Sequence, residues 1–435
     1  MADVKKTRAV ICGAGVGGVA AAAAVAPFFD ETIIIERDVL PEGSTPRPGV
    51  PQSSQSHGLL KRGENELEAL LPGFANALAA AGGQRIRIAE DMGQFDGGAW
   101  HPRRDLGLDA YCQSRTLLEK VVRDETARRH ALTMIEGAEV RGFRINDGRV
   151  RAVAFETADG DDEIEADLVI DALGRASPVS GWLKDAGLAE PPLEMIGIDL
   201  RYATVTYERT GPGPDGATAY QIAGGGGSSA VLLPIEDDRW LATLGGRFGD
   251  YPPEDHAGFI DFARKLPISE VADVMAASAP LDDVISYTIR SAVRRRWEMV
   301  APPANLVSVG EAQVGFDPTF AQGMSVAASH AGALGRLLHA RGEIDDGFAQ
   351  AFYKEGAEAG EWAWRLVETV DFTYPGTKGR APDDLKDRLR TLKRGRVAAE
   401  TDPAAQRLYT EVRHLLRPMA DLDAAASENN VLIDA

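Results

Sequence analysis

A chain of 435 residues, 44% apolar and 26% charged, is long enough for roughly two to three domains and has the composition of an ordinary globular protein. Its formal net charge of -19 repels phosphate backbones and excludes nucleic acid as a partner; the basic runs at 294–296 and 393–396 read as solvated faces. Two cysteines without a CxxC exclude a disulfide framework and fit a reducing, cytoplasmic setting, and no histidine spacing, GxSxG or GxxxxGK points to a metal site, a serine hydrolase or a phosphate loop.

In chain order, "RAVIC" (8–12) reads as a short buried strand, "GAGVGG" (13–18) as a glycine turn and "VAAAAAV" (19–25) as a helix. "ETIIIERD" (31–38) is a second buried strand carrying Glu36. The uncharged stretch 9–29 meets the length of a membrane span, about 20 residues, and follows a basic start like that of an export signal. Alanine broken by Gly13, Gly15, Gly17 and Gly18 is too weakly apolar for either, so the stretch reads as core and no membrane span is expected.

Strand, GxGxxG, helix, strand and then an acid about 20 residues on is the pattern of a dinucleotide site. Gly13 makes the tight turn, Gly15 admits a pyrophosphate to the backbone and Gly18 lets helix and strand pack closely. The helix N-terminus presents free N–H groups to the phosphates, and Glu36 can accept two ribose hydroxyls. The unit alone does not separate FAD from NAD.

Further along, "YCQSRTLLEKVVRDETAR" reads as a helix starting at Ser114-Arg115. "DLRYATVTYER", "AVLLPI" and "RWLATLGG" read as strands of a sheet that would carry Tyr202, Tyr207 and Trp240 on or near one wall of a substrate region. "GGGGSS" (224–229) reads as a hairpin turn, since no helix follows it. "NLVSVG" (305–310) is a buried strand ending at Gly310 with Glu311 at its C-terminal edge; "FDPTFAQG" then leads into a helix at Met324 that Gly342 ends. From about residue 346 the chain reads as helices that either cap the substrate cavity or form an interface.

These stretches carry a resemblance. "GAGVGG" with Glu36, "DLVIDALGRAS" around Asp171 and Gly174, and "GEAQVGFDPTFAQGM" resemble the motifs of FAD-dependent monooxygenases of the p-hydroxybenzoate hydroxylase type. "RPGVPQSSQSHGLL", "SRTLLE", "LLPIEDDRWLATLGG", "YPPEDHAGFIDFARKLP" and "RRRWE" are most similar to a bacterial branch that includes polyether epoxidases, and together the stretches run from about residue 8 to about 415. The resemblance implies an α/β fold, α+β overall. A discontinuous Rossmann-like FAD-binding domain (1–60, 100–190, 300–345) would join a sheet domain for the substrate (61–99, 191–299) and a helical C-terminal region (346–435).

It also implies site residues. Gly13, Ala14, Gly15 and Gly18 would surround the pyrophosphate, Glu36 the adenosine ribose, and Arg37 and Val140 the adenine. Arg115 would reach the phosphates or ribityl chain, and Gly310 and Glu311 would replace the usual Gly-Asp at the ribityl chain. Pro318 would lie over the flavin ring, with Gly323 and Met324 donating N–H groups to it. Arg47 and His57 fall in a segment that is mobile in relatives, where a loop arginine and a packed histidine are the ordinary readings. Asp317 and Ala321 stand where asparagine and glycine are usual, and a carboxylate beside the ring would lower the flavin's reduction potential.

The activity implied is insertion of one oxygen atom from O2 into a small organic substrate, by epoxidation of an alkene or hydroxylation of an electron-rich ring. NAD(P)H would be a transient co-substrate, since no second GxGxxG exists, and a flavin C4a-hydroperoxide the oxygen donor. No catalytic acid or base stands out. An FAD-dependent reductase or saturase of prenyl-like double bonds remains open, as does a non-catalytic flavin-binding protein; the Trp-x-Trp-x-Ile-Pro motif of flavin halogenases is missing.

Overall fold

β-Branched runs with no polar face can only be strands buried on both sides, and they set the first layer. In the computed structural model, which describes residues 7–423, Arg8–Cys12 is the centre of a five-stranded parallel sheet. Its order is Leu306–Ser308, Leu168–Asp171, Arg8–Cys12, Glu31–Ile35 and Thr133–Ile135. The helix Val16–Val25 follows the glycine turn and is buried on nearly every side, between the helices Arg115–Arg129 and Gly323–Arg341. Its alanines make that possible: a smooth cylinder fits between two other helices where larger side chains would hold them apart.

A three-stranded antiparallel sheet, Glu139–Asn146, Arg149–Thr157 and Gly160–Glu165, flanks this layer. The second layer is an eight-stranded sheet built on the long strand Leu193–Glu208, which pairs antiparallel with Ile285–Arg295 on one side and Arg239–Arg247 on the other. The run "GGGGSS" is the turn of the hairpin Ala219–Ala223 and Ser229–Ile235, with Gly226 and Gly227 at positive φ.

Segment 61–99 is shared between the layers. Lys61–Leu70 and Phe74–Ala80 are helices whose Leu67, Phe74 and Leu78 join the core of the parallel sheet, whereas Met92–Asp96 is a strand of the eight-stranded sheet. Period-2 alternation puts Ala203, Val205 and Tyr207 on one face of that sheet and Ile196, Ile198, Leu200 and Tyr202 on the other. Tyr207 and its cross-strand partner Trp240 therefore pack into a separate core under the helices His256–Ala263 and Glu270–Ala277. They share no wall with Tyr202, contrary to the expectation from sequence.

The C-terminal helices close the structure. Ala363, Trp364 and Val367 of the helix Ala357–Asp371 pack against Ile196, Ile198, Leu200 and Tyr202. Within "WAWRLV", Ala363, Trp364, Leu366 and Val367 thus form the buried side of a covering helix. Among the described residues no helix is long and apolar enough to cross a membrane and no group of residues could hold a metal ion.

Candidate functional site

The turn after the first strand depends on two glycines. Gly13 has φ +106°, and a Cβ on Gly18 would lie 2.0 Å from the Gly13 carbonyl oxygen, so both positions exclude a side chain. At Gly15 a Cβ would meet nothing within 4 Å, because that backbone faces open space. The helix starting at Val16 has no side-chain cap, which leaves its first N–H groups pointing into that space.

The space is a cavity of ≈ 520 Å³ running between the two main layers. Gly13, Gly15, Gly18, Glu36, Arg37, Arg47, His57, Arg115, Val140, Gly310, Glu311, Pro318, Gly323 and Met324 all stand on its wall. Ala14 lies just behind and donates its N–H to Glu36 Oε2 at 2.7 Å. The other Glu36 oxygen accepts from Asp38 N–H at 3.0 Å and lies 3.1 Å from Arg47 Nη1. Arg47 also reaches Asp38 at 2.9 Å and Glu119 at 3.5 Å, and these carboxylates hold its guanidinium firmly charged despite burial.

A second uncapped helix N-terminus, Gly323–Arg341, opens onto the same cavity from the far side. Its approach is shaped by Ala321 at φ +54°, a left-handed conformation that glycine adopts without the strain an alanine carries. Behind it, buried His330 Nδ1 accepts the Gly310 N–H at 3.1 Å and fixes the turn that presents Glu311.

His57 is neither solvated nor idle core. Arg115 Nη1 lies 3.0 Å from its Nε2, and its Nδ1 lies 2.9 Å from the Gln55 carbonyl. Since arginine can only donate, the Nδ1 carries the proton and Nε2 accepts. Burial, with Arg115 adding to it, pushes the imidazole down to about 3, so it is neutral and holds Arg115 towards the cavity instead of acting as a base.

The Asp317 side chain departs from expectation. Its carboxylate is fully buried, paired with Arg247 at the end of the strand Arg239–Arg247, and it accepts from Thr319 N–H at 2.9 Å. A charge so compensated is not the bare carboxylate expected beside the ring.

Of the sheet side of this wall, Tyr202 stands where the sequence places it, whereas Tyr287 and Ile289 were passed over; the two tyrosine rings are 6.0 Å apart. Arg175 lies within "DLVIDALGRAS", yet nothing local marks it. It donates to the Phe316 carbonyl at 2.8 Å and the Ser291 carbonyl at 2.8 Å, tying together three segments far apart in the chain. Asp171 in the same stretch is buried and accepts from Ser177 and Ser308, which makes it a structural acid.

The residues fit an extended dinucleotide with a redox ring: a Cβ-free approach at Gly15, a buried acid for ribose hydroxyls, and two helix N-termini for negative charge at separate places. The family described as FAD dependent oxidoreductase matches residues 9–178. Protein Rv3254 of Mycobacterium tuberculosis is 28% identical over 390 residues, covering 85% of this chain and 81% of its own. Among solved structures, the flavin-dependent brominase Bmp2 is similar with a TM-score of 0.71 at 12% identity, over 98% of this chain and 99% of its own. So is p-nitrophenol 4-monooxygenase PnpA from Pseudomonas putida, with a TM-score of 0.68 at 14% identity, over 94% and 98%. The fold is that of these flavoenzymes, and the match over residues 9–178 supports FAD as the group the cavity takes.

Proposed function

We propose that this protein is an FAD-dependent monooxygenase that uses NAD(P)H and inserts one atom of O2 into a small organic substrate, epoxidising an alkene or hydroxylating an electron-rich ring. The observation that carries the reading is the continuity of one cavity from the Gly13–Gly18 turn, past the second helix N-terminus, to the sheet face bearing Tyr202, Tyr287 and Ile289. An adenine-binding end alone would suit many dinucleotide proteins. A ring-binding end that opens directly onto an aromatic and aliphatic wall suits one that acts on an apolar molecule beside the ring.

The chemistry FAD supplies when bound is passage of reducing equivalents from NAD(P)H to O2. The chain's own work is placement and exclusion. Glu36 holds the ribose, the Val16 and Gly323 helix N-termini stabilise negative charge, and Arg115, fixed by His57 and Glu119, faces the cavity at 2.9 Å from Glu119. Tyr202, Tyr287, Ile289 and Phe316 would shield the reacting space from water, which limits side reactions with solvent. The resemblance in motifs supports this reading, as does the likeness in fold to a solved monooxygenase.

The test is NAD(P)H oxidation by the FAD-loaded protein under isotopically labelled O2 with a panel of alkenes and phenols. Label in the organic product supports the proposal. Saturation of a double bond without O2 uptake would move the protein to the reductase class.

A further inference from the structure

Three ionisable side chains from three parts of the chain meet at a buried point beside the flavin-site loop. Arg247 comes from the end of a sheet strand, Asp317 from the loop Phe316–Ala321, and Asp371 from the last residue of the covering helix Ala357–Asp371. Asp317 and Asp371 are 0% exposed and Arg247 4%. The Arg247 Nη2 pairs with Asp317 Oδ2 and lies 3.7 Å from Asp371 Oδ1. Tyr374 closes the group, its ring centroid 4.7 Å from the Arg247 guanidinium carbon.

One cation faces two carboxyl groups, and both Asp371 oxygens are buried without a donor from any N–H or hydroxyl of the described residues. Two bare carboxylates here would leave a net negative charge on fully buried groups, which costs far more than taking up a proton. We propose that Asp371 is a positioning residue: it stands as a neutral acid, donates its proton to the Asp317 carboxylate, and so latches the C-terminal helices onto the loop that carries Pro318. Burial and the Asp317 charge push the Asp371 carboxyl up to about 10, while Arg247 and the hydrogen bonds hold Asp317 below its usual range in spite of burial. Arg247, Asp317 and Tyr374 are the charged or titratable groups facing Asp371, and Thr377 Oγ1 donates to its main-chain oxygen at 2.6 Å.

The latch rests on the proposed function only in calling the loop a flavin loop, so its first test needs no cofactor. Infrared difference spectra of the apoprotein at pH 8 are expected to show a carboxylic-acid carbonyl band that is lost in Asp371→Asn. It is lost in Asp317→Asn as well, because Asp371 then ionises against Arg247. A wild-type spectrum that does not differ from that of Asp371→Asn would overturn the shared proton.

The second test is amide hydrogen exchange over residues 316–322. Asparagine keeps a donor, so Asp371→Asn should leave exchange within about twofold. Asp371→Leu removes a hydrogen bond to a buried charge and should speed exchange about tenfold or more. Equal exchange in Asp371→Leu and wild type would contradict the positioning role. Should that variant fail to fold, faster exchange in Asp371→Asn would contradict the donated proton as the latch. FAD affinity is expected to fall alongside; faster exchange with unchanged affinity supports the latch and counts instead against the loop as a flavin contact.

Discussion

Arg175 Nη2 donates to Glu311 Oε1 at 3.0 Å across the wall of the cavity, joining the loop after one parallel strand to the loop after its neighbour. The pairing gives a physical reason for the length of the glutamate side chain at this position. The additional methylene, compared with aspartate, lets the same Oε1 reach Arg175 and lie near the helix N-terminus, 3.9 Å from where a Gly323 Cβ would lie. Both side chains are about a quarter to a third exposed, at 25% and 32%, so solvent screens the pair.

A double-mutant cycle with Arg175→Ala and Glu311→Ala should therefore give a coupling of about 0.5–1 kcal/mol in the apoprotein's stability. Glu311→Asp should behave like the loss of the pair, not like a conservative change. Zero coupling in denaturant titrations would show that the contact is incidental.

The glycines of the turn should separate into two kinds. Gly18→Ala drives a methyl into the Gly13 carbonyl and is expected to destabilise the fold by about 3 kcal/mol. Gly15→Ala finds open space, at φ -69°, and should cost less than about 1 kcal/mol while weakening FAD binding about tenfold or more. Thermal melts of the apoprotein beside FAD titrations read both quantities. Normal FAD affinity in Gly15→Ala would remove that backbone from the site.

Ala321 offers a change in the opposite direction. An alanine at φ +54° pays a conformational cost that glycine does not, so Ala321→Gly should raise stability by up to about 1 kcal/mol. A lower Tm in this variant would mean that the methyl's packing against Gly58, 3.0 Å from a Cβ built there, outweighs the strain.

Acid should destabilise the protein through three histidines that it holds neutral, His330 fully buried and His57 and His414 half-buried. Burial pushes His57 and His414 down to about 3, with nearby Arg115 for the one and Arg413 and Lys61 for the other, and burial alone pushes His330 down to about 4. The unfolded chain binds these protons near 6.5, so the folded state binds fewer of them as the pH falls. The stability they contribute is present above about 6.5 and is lost between there and about 3–4, at up to about 1.4 kcal/mol per pH unit for each group. His57→Gln, which keeps an acceptor for Arg115, should flatten the fall of Tm between pH 7 and 5. An unchanged slope would show that His57 is already protonated or exposed.

Much of the first layer was legible because its signals are local. "RAVIC", the glycine turn and the apolar run 31–35 form the strand, turn and strand their residues dictate, and Gly342 ends its helix at φ +70°. The second layer was legible as strands but not as faces. Tyr202 and Tyr207 lie five residues apart and so on opposite sides of one strand, and only the packing of helices on each side shows which side meets the cavity. Asp317 was read from its neighbours in sequence, which say nothing of Arg247, 70 residues away, or of Asp371. Tyr287 carries no motif, and Arg175 sits inside a quoted motif that gives it no role; their place on the wall is a consequence of topology.

The most direct test of the account is a titration of the apoprotein with FAD, followed by flavin fluorescence, in wild type and Gly15→Ala side by side. The account predicts saturable binding of one FAD per chain in the wild type and at least tenfold weaker binding in the variant. No binding to folded wild-type protein, or equal binding by both, would contradict the assignment of the cavity.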